Sequence, residues 1–404
     1  MPGVGLPLEG LRVLEYAQYV AGPLAGMLLA DLGADVVKVE PPAGDAWRRY
    51  EPFDTGESRY FYALNRNKRS VVVDLKTEAG RQASRALIAG ADAVIHNQPP
   101  ERAARWGLDR ESVREINPRA AWCMVSALGS DGPEAELRAF DLVAQALSGL
   151  LLTDARPGDA VPRRPGGIAI ADFTAGLLAA VSVLAGLVGR NGGAAAPGVE
   201  VSLLGAALAV QAQRFVSVGA VDEPPAAEER AATPGDLAAQ SARTRAAEEL
   251  EPYYRAYRAA DGFFVLTCLN EAQRRTALRL LELEDPFVAD PQAPPASPAE
   301  RAARLALVRR FETAFAEESS GHWIRRLRAA GVPAAPVRSL DQLFQDPQAR
   351  ANGLVQEVAA PAAPDVRLLG GVFKVEGEPA GARRGVPALG EHTAEVLAEA
   401  EAGS

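Results

Sequence analysis

The sequence has 404 residues, with 43 Lys and Arg against 52 Asp and Glu, for a formal net charge of −9. That length fits two domains of ordinary size, the 48% apolar fraction excludes wholesale disorder, and the acidic balance argues against nucleic acid as a partner. Two cysteines, Cys123 and Cys268, and three scattered histidines, His96, His322 and His392, give neither a disulfide framework nor a metal cluster, so no metal and a reducing cytoplasm are expected.

In chain order, Met1 to Glu9 has no basic region followed by an apolar run, so no secretory signal is expected. Leu11–Tyr16 reads as a strand, Ala21–Gly33 as a helix opened by Gly22-Pro23, and Asp35–Glu40 as a second strand. Ser70–Leu75, a helix over Glu78–Ala89, and strands at Asp92–Asn97 and Ala120–Ser126 continue the pattern. Strands separated by single helices predict a parallel, doubly wound sheet. Helices are then predicted over Phe140–Leu152, Ala169–Gly189 and Val199–Gly219. Residues 222–250, rich in Ala, Pro, Glu and Arg, read as a linker. A second unit follows, with a strand at Phe263–Cys268 and helices over Glu271–Leu283, Pro298–Glu318 and His322–Ala330. Gly331–Pro336 reads as a further linker into a loosely structured tail.

The segment Ile168–Gly189 is long and apolar enough to cross a bilayer, but it is rich in Ala and Gly and holds Asp172 near its start. A buried helix is therefore expected, with no membrane partner. Asp172 admits two readings. Burial raises a carboxylate's pKa and strips its hydration, which makes a better nucleophile. Alternatively, an acidic residue in a first helical turn simply caps free N–H groups.

Absent motifs narrow the chemistry. No lysine (Lys38, Lys68, Lys76, Lys374) follows a phosphate-binding glycine loop, and no Gly-x-Ser-x-Gly elbow is present. The first strand–helix turn lacks Gly-x-Gly-x-x-Gly, so Glu40 is not expected to serve a dinucleotide. Cations do cluster: Asn65–Ser70 holds three, and Lys76, Arg105 and Arg138 follow predicted strands or loops. Lys76, Asn97 and Arg105 fall beyond the carboxyl ends of strands, where open sheets bind ligands, and such cations suit phosphates. His96, Cys123 and Cys268 read as packed core residues.

Taken together, the order and spacing of several segments resemble the class III CoA-transferases. They are Leu8–Leu14, Ala21-Gly-Pro23, Leu29–Glu40, Asn65–Lys76, Arg105-Trp-Gly-Leu108, Gln145–Gly149, Gly331–Pro336 and Gly390-Glu-His-Thr393, spread over nearly the whole chain. The resemblance implies a Rossmann-like large domain (residues 1–221), the linker, a small α/β domain (251–331) and a return to the large domain (332–404). It further implies that two copies interlock as rings. Asp172 falls at the family's catalytic aspartate, and Tyr19, Val20, Val73, Leu75, Lys76, Asn97, Arg105 and Arg138 at positions that contact CoA. No tightly bound cofactor is implied; CoA and acyl-CoA are substrates.

The sequence also departs from the family. Val20 stands where formyl-CoA members have Gln, His96–Glu101 replaces the usual Glu-Asn-Phe-Arg-Pro-Gly, and the glycine-rich loop of formyl-CoA transferases is not found. Phe140 replaces the histidine that the family's racemases need. The expected activity is ATP-independent transfer of CoA between an acyl-CoA and a carboxylic acid, through an aspartyl anhydride and an aspartyl-CoA thioester. The alternatives are an acyl-CoA racemase and a non-catalytic acyl-CoA-binding protein.

Overall fold

A computed structural model describes the chain except for residues 1–4, 53–55, 57, 157, 191–194, 218–231, 292–294, 362 and 403–404. The described chain separates into two units. One comprises Met1–Leu151, Arg164–Ala227 and Phe344–Ser404, and the other Leu152–Arg163 and Glu228–Leu343.

The first unit is built on strands β1 (Arg12–Glu15), β2 (Asp35–Glu40), β3 (Arg69–Val72), β4 (Ala93–His96), β5 (Ala121–Ser126) and β6 (Gly198–Ser202). They form one six-stranded sheet in the order β3-β2-β1-β4-β5-β6, and every pairing is parallel. Its helices are α1 (Ala21–Asp31), α2 (Arg59–Leu64), α3 (Glu78–Ala89), α4 (Pro100–Trp106), α5 (Arg110–Ile116), α6 (Asp141–Leu147), α7 (Ile170–Gly189) and α8 (Leu203–Ala209). Apolar side chains cover both sheet faces. Met27, Leu29, Val36, Ile95, Cys123 and Val183 pack on one side, and Leu14, Val37, Val71, Leu87, Val94 and Val113 on the other. The chain reverses its winding between β1 and β4, the place where such sheets open a crevice beyond their carboxyl ends.

Several expectations need correction. The helix predicted over Val199–Gly219 is instead β6 followed by the short α8. Gly198-Val-Glu-Val-Ser202 alternates as a strand, and the Ser202 side chain accepts from the Gly205 N–H to start the helix. The segment 222–250 is not linker throughout: α9 (Pro234–Glu249) fills its second half, opened by a Thr233–Asp236 capping box. Its first half, up to residue 231, lies outside the described residues.

The second unit contains α9, β7 (Tyr254–Ala259), β8 (Gly262–Thr267), α10 (Glu271–Leu281), α11 (Pro298–Ala316), α12 (Ser320–Ala329), β9 (Ala334–Pro336) and α13 (Leu340–Leu343). Residues 331–336, predicted as linker, hold β9, which completes an antiparallel three-stranded sheet with β7 and β8. Tyr257, Phe264, Phe311, Phe315 and Trp323 form an aromatic core beneath it.

The tail returns to the first unit with α14 (Pro347–Ala351), the hairpins β10 (Val355–Ala360)–β11 (Ala363–Leu369) and β12 (Phe373–Val375)–β13 (Glu378–Ala380), and α15 (Thr393–Ala402). Val358, Leu368 and Val386 pack on Phe61 and Tyr62 of α2, and Val396 joins the core beneath α3.

Candidate active site

Asp172 lies in the first turn of α7, whose N-cap residue, Ala169, provides no side-chain hydrogen bond. The helix is long and apolar enough to cross a membrane by length and composition, but half of it is buried inside this fold. It runs against α1 so closely that a Cβ at Gly176 would lie 2.7 Å from the Ala21 carbonyl oxygen. That approach brings the start of α7 beside the β1–α1 turn. Among the described residues, no hydrogen bond reaches the Asp172 carboxyl. Burial first, and the negative charge of Asp141 second, push its pKa up to about 7.

Asp141 begins α6 and is buried. Its Oδ1 accepts the N–H groups of Ala171 at 3.0 Å and of Asp172 at 3.2 Å, so the helix that carries Asp172 is capped from another helix. The Gln145 amide, one turn along α6, donates to Asp141 Oδ2 at 2.6 Å and to the Ile168 carbonyl at 3.1 Å. The N-terminal donors of α7 are thereby occupied, and the capping reading of Asp172 gives way: Asp141 is the cap.

An aromatic wall adjoins this pair. Phe140, 64% exposed, meets Tyr19 edge to face at 5.8 Å, and Tyr19 meets Trp47 at 5.3 Å. Trp47 in turn packs on Tyr50 and Tyr60. Tyr19 has φ +73°, a left-handed backbone uncommon for a residue with a side chain, and its N–H is held by Asp45 Oδ1 at 3.3 Å. Val20, buried, is the N-cap residue of α1.

The other expected CoA contacts all follow sheet strands of the first unit. Asn97, just beyond β4, exchanges two hydrogen bonds with the Gln18 backbone, at 3.2 and 2.8 Å, and so ties that strand end to the β1–α1 turn. Val73 and Leu75 are buried just beyond β3, and Lys76 is exposed beside them. Arg105 is exposed in the last turn of α4, and Arg138 is exposed in the loop before α6. The side chains of Lys76, Arg105 and Arg138 have no ion pair among the described residues. Tyr19, Val20 and Asn97 are thus joined to one another and, through Phe140 and α1, to the Asp172 end of α7. Among the described residues, no bond links these three cations or Val73 and Leu75 to that end.

The cations of Asn65–Ser70, read as anion handles, are buried structural groups instead. Arg66 pairs with Asp31, Lys68 with Glu15, and Arg69 with Asp35, Glu395 and Glu399. Lys38 and Lys68 bracket Glu15 at 2.8 and 2.7 Å. Lys38 also reaches Asp45 and the Ala17 carbonyl, both at 2.9 Å, and Lys68 reaches the Pro23 carbonyl at 2.8 Å. Glu40 adjoins this group through Arg48 and Ser70; burial opposes its charge, but Arg48 and Lys38 outweigh that and hold it down at about 2. Three carboxylates thereby face three cations beneath the β1–α1 turn. Burial, together with the neighbouring Lys38, pushes Lys68 down to about 8, while Asp45, Glu15 and Glu40 raise Lys38 against its own burial. Sequence patterns missed this cluster because its members come from four separated segments.

His96 is buried against Trp122, accepts the Gln98 N–H at Nδ1, and is pushed down to about 4 by burial, which keeps it neutral. Burial pushes both cysteine thiols up to about 12, so neither is an activated nucleophile. No cluster of three metal-ligating side chains occurs among the described residues.

Comparison with known proteins adds family relationships to this geometry. The family model described as CoA-transferase family III matches residues 8–393. The chain is 32% identical to a succinate–glutarate CoA-transferase of Agrobacterium fabrum, covering 99% of this chain and 97% of that one. It is 31% identical to the succinyl-CoA:glutarate CoA-transferase of Homo sapiens, covering 97% and 86% respectively. The crystal structure of a CAIB/BAIF family protein from Brucella suis matches with a TM-score of 0.76 and 30% identity, over 98% of this chain and all (100%) of that one.

Proposed function

The chain belongs to CoA-transferase family III, and from that premise we propose that Asp172 is the covalent nucleophile of a reversible exchange of CoA between an acyl-CoA and a carboxylic acid. The observation that carries the assignment is a carboxyl group with no hydrogen-bond partner among the described residues, raised to about 7 on a turn packed beside the β1–α1 turn. Near neutral pH a large fraction is ionised, and its high basicity and thin hydration make it a stronger nucleophile than a solvated carboxylate.

The sequence of steps balances without an outside energy source. The Asp172 carboxylate attacks the donor thioester carbonyl, the C–S bond breaks, and CoA leaves as a thiolate with a mixed anhydride on the enzyme. The thiolate attacks the aspartyl carbonyl, which expels the donor acid as a carboxylate and leaves an aspartyl-CoA thioester. The acceptor carboxylate then attacks that thioester to give a second anhydride and the thiolate. Attack of the thiolate on the acceptor's acyl carbon yields the new acyl-CoA and restores Asp172. One exchange is divided into steps between acyl groups of comparable energy.

Phe140, immediately before Asp141, has no titratable group to pair with Asp172 in α-proton exchange, which favours transfer over racemisation. The relatives named for succinate and glutarate make succinyl-CoA with glutarate the first donor–acceptor pair to assay. We further propose a homodimer, since the outward face of α7 exposes Leu177, Val181 (60%) and Val188 (69%), an apolar stripe suited to a second copy. Asp172→Ala and Asp172→Asn should fold and bind CoA but lose measurable transfer; turnover by either variant at the parent rate contradicts the assignment.

A further inference from the structure

We propose that Asp141 is a positioning residue for Asp172, which it serves by occupying the N-terminal donors of α7 and by setting a second negative charge beside the nucleophile. This rests on Asp172 being the nucleophile.

The N-terminus of a helix stabilises negative charge through its free N–H groups and dipole. An aspartate in the first turn would ordinarily use them, which lowers its pKa and its reactivity. Here the N–H groups of Ala171 and Asp172 both point to Asp141 Oδ1, at 3.0 and 3.2 Å, and the Phe173 N–H bonds to the Ala169 carbonyl at 2.9 Å. Asp172 therefore sits at an electropositive helix end whose nearest donors are already taken. Asp141 is itself fixed by the Gln145 amide, which holds Oδ2 at 2.6 Å and leaves Oδ1 facing α7.

Among the described residues, the electrostatic surroundings contain no competing group. Among the elements packed on α7, α6 contributes Asp141, whereas α1, α8 and strands β4, β5 and β6 contribute no charge acting on Asp172. Among the described residues, Asp141 is thus the one side chain whose charge opposes ionisation of the nucleophile, and it is held where it also occupies N–H groups that would favour it.

Two substitutions separate this role from simple capping. Asp141→Asn keeps an oxygen for the two N–H groups but removes the charge; Asp141→Ala removes both. The test measures kcat/KM for CoA exchange against pH in the parent and in both variants, with thermal melts to establish folding. The expected result is an acid limb near pH 7 in the parent that moves down by about one pH unit in Asp141→Asn. Asp141→Ala, whose nucleophile can also take the freed N–H groups, should move at least as far, with a larger loss of kcat than of CoA affinity. An acid limb that stays in place in either folded variant overturns the proposal, as does failure of both variants to fold, which would make Asp141 a stability residue. If Asp172→Ala retained transfer, the nucleophile assignment itself would fall, an outcome distinct from an unmoved limb.

Discussion

At the scale of single residues, Asp172 costs the protein stability whenever it is ionised. Its pKa is raised in the fold, to about 7, so the folded state prefers the protonated form. The fold is therefore least burdened by this group at acid pH, and the burden is complete once pH rises above about 7. Asp172→Asn should raise the melting temperature, and its gain should be about 2 kcal/mol larger at pH 8 than at pH 5.5. Equal gains at the two pH values in calorimetry would mean that the side chain is not held in its raised state. The buried cations carry the opposite expectation. Lys38→Met leaves Glu15 and Asp45 buried with one cation fewer and should destabilise by about 3–5 kcal/mol in denaturant titration; a loss below 1 kcal/mol would show that the cluster is solvated.

The sequence showed Asp172 because one ionisable group in an Ala- and Gly-rich apolar run is conspicuous without any knowledge of its neighbours. Asp141 and Gln145 left no such trace, since nothing local indicates that a side chain will cap a helix 30 residues further on. Lys68 and Arg66 were misleading for the same reason. Basic residues before a strand look solvated until Glu15 and Asp31 are brought to them from other elements.

At the scale of elements, the seam between α1 and α7 sets the position of Asp172 relative to the β1–α1 turn. Gly176 lies in that seam, and its Cα faces Ala21 and Leu24 with no room for a methyl group. Gly176→Ala should cost about 1–3 kcal/mol and, by pushing α7 from α1, lower kcat more than it raises KM for CoA. An unchanged kcat in a variant with the expected loss of stability would separate this seam from catalysis. The elements that escaped sequence reading share a physical reason. β6 runs directly into α8 with no turn residues between them, and the strand alternation spans only five residues. α9 is amphipathic too weakly for its period to stand out, and its local signals are confined to its start, the capping box and Pro234. β1 to β5, by contrast, are short apolar runs punctuated by glycines and helices, which periodicity resolves.

At the scale of the whole molecule, residues 344–404 are part of the first unit's core rather than an appendage. Arg66 donates to the Leu369 and Gly370 carbonyls, the Asn67 side chain accepts the Arg383 and Arg384 N–H groups, and Arg69 and Arg12 hold Glu399 of α15. A chain ended at Leu343 should expose Phe61, Tyr62 and these buried cations, and it should accumulate as insoluble protein; a soluble, cooperatively melting truncation would contradict that. The net charge of −9 says little about an anionic substrate such as CoA, because a sum over the chain does not say where individual cations stand: Lys38, Arg48, Arg66, Lys68 and Arg69 are buried in ion pairs. Lys76, Arg105 and Arg138 are exposed without ion pairs among the described residues, and on the proposed function they are the cations expected to meet it.

The central claim, that Asp172 becomes acylated, is tested most directly by trapping. The enzyme is incubated with succinyl-CoA and hydroxylamine without an acceptor acid, digested, and its peptides are mapped by mass spectrometry. The account predicts a hydroxamate on Asp172 that depends on the acyl-CoA and is absent from Asp172→Asn. Acyl-CoA-dependent modification at a different residue, or CoA exchange that proceeds with Asp172 never labelled, would contradict it.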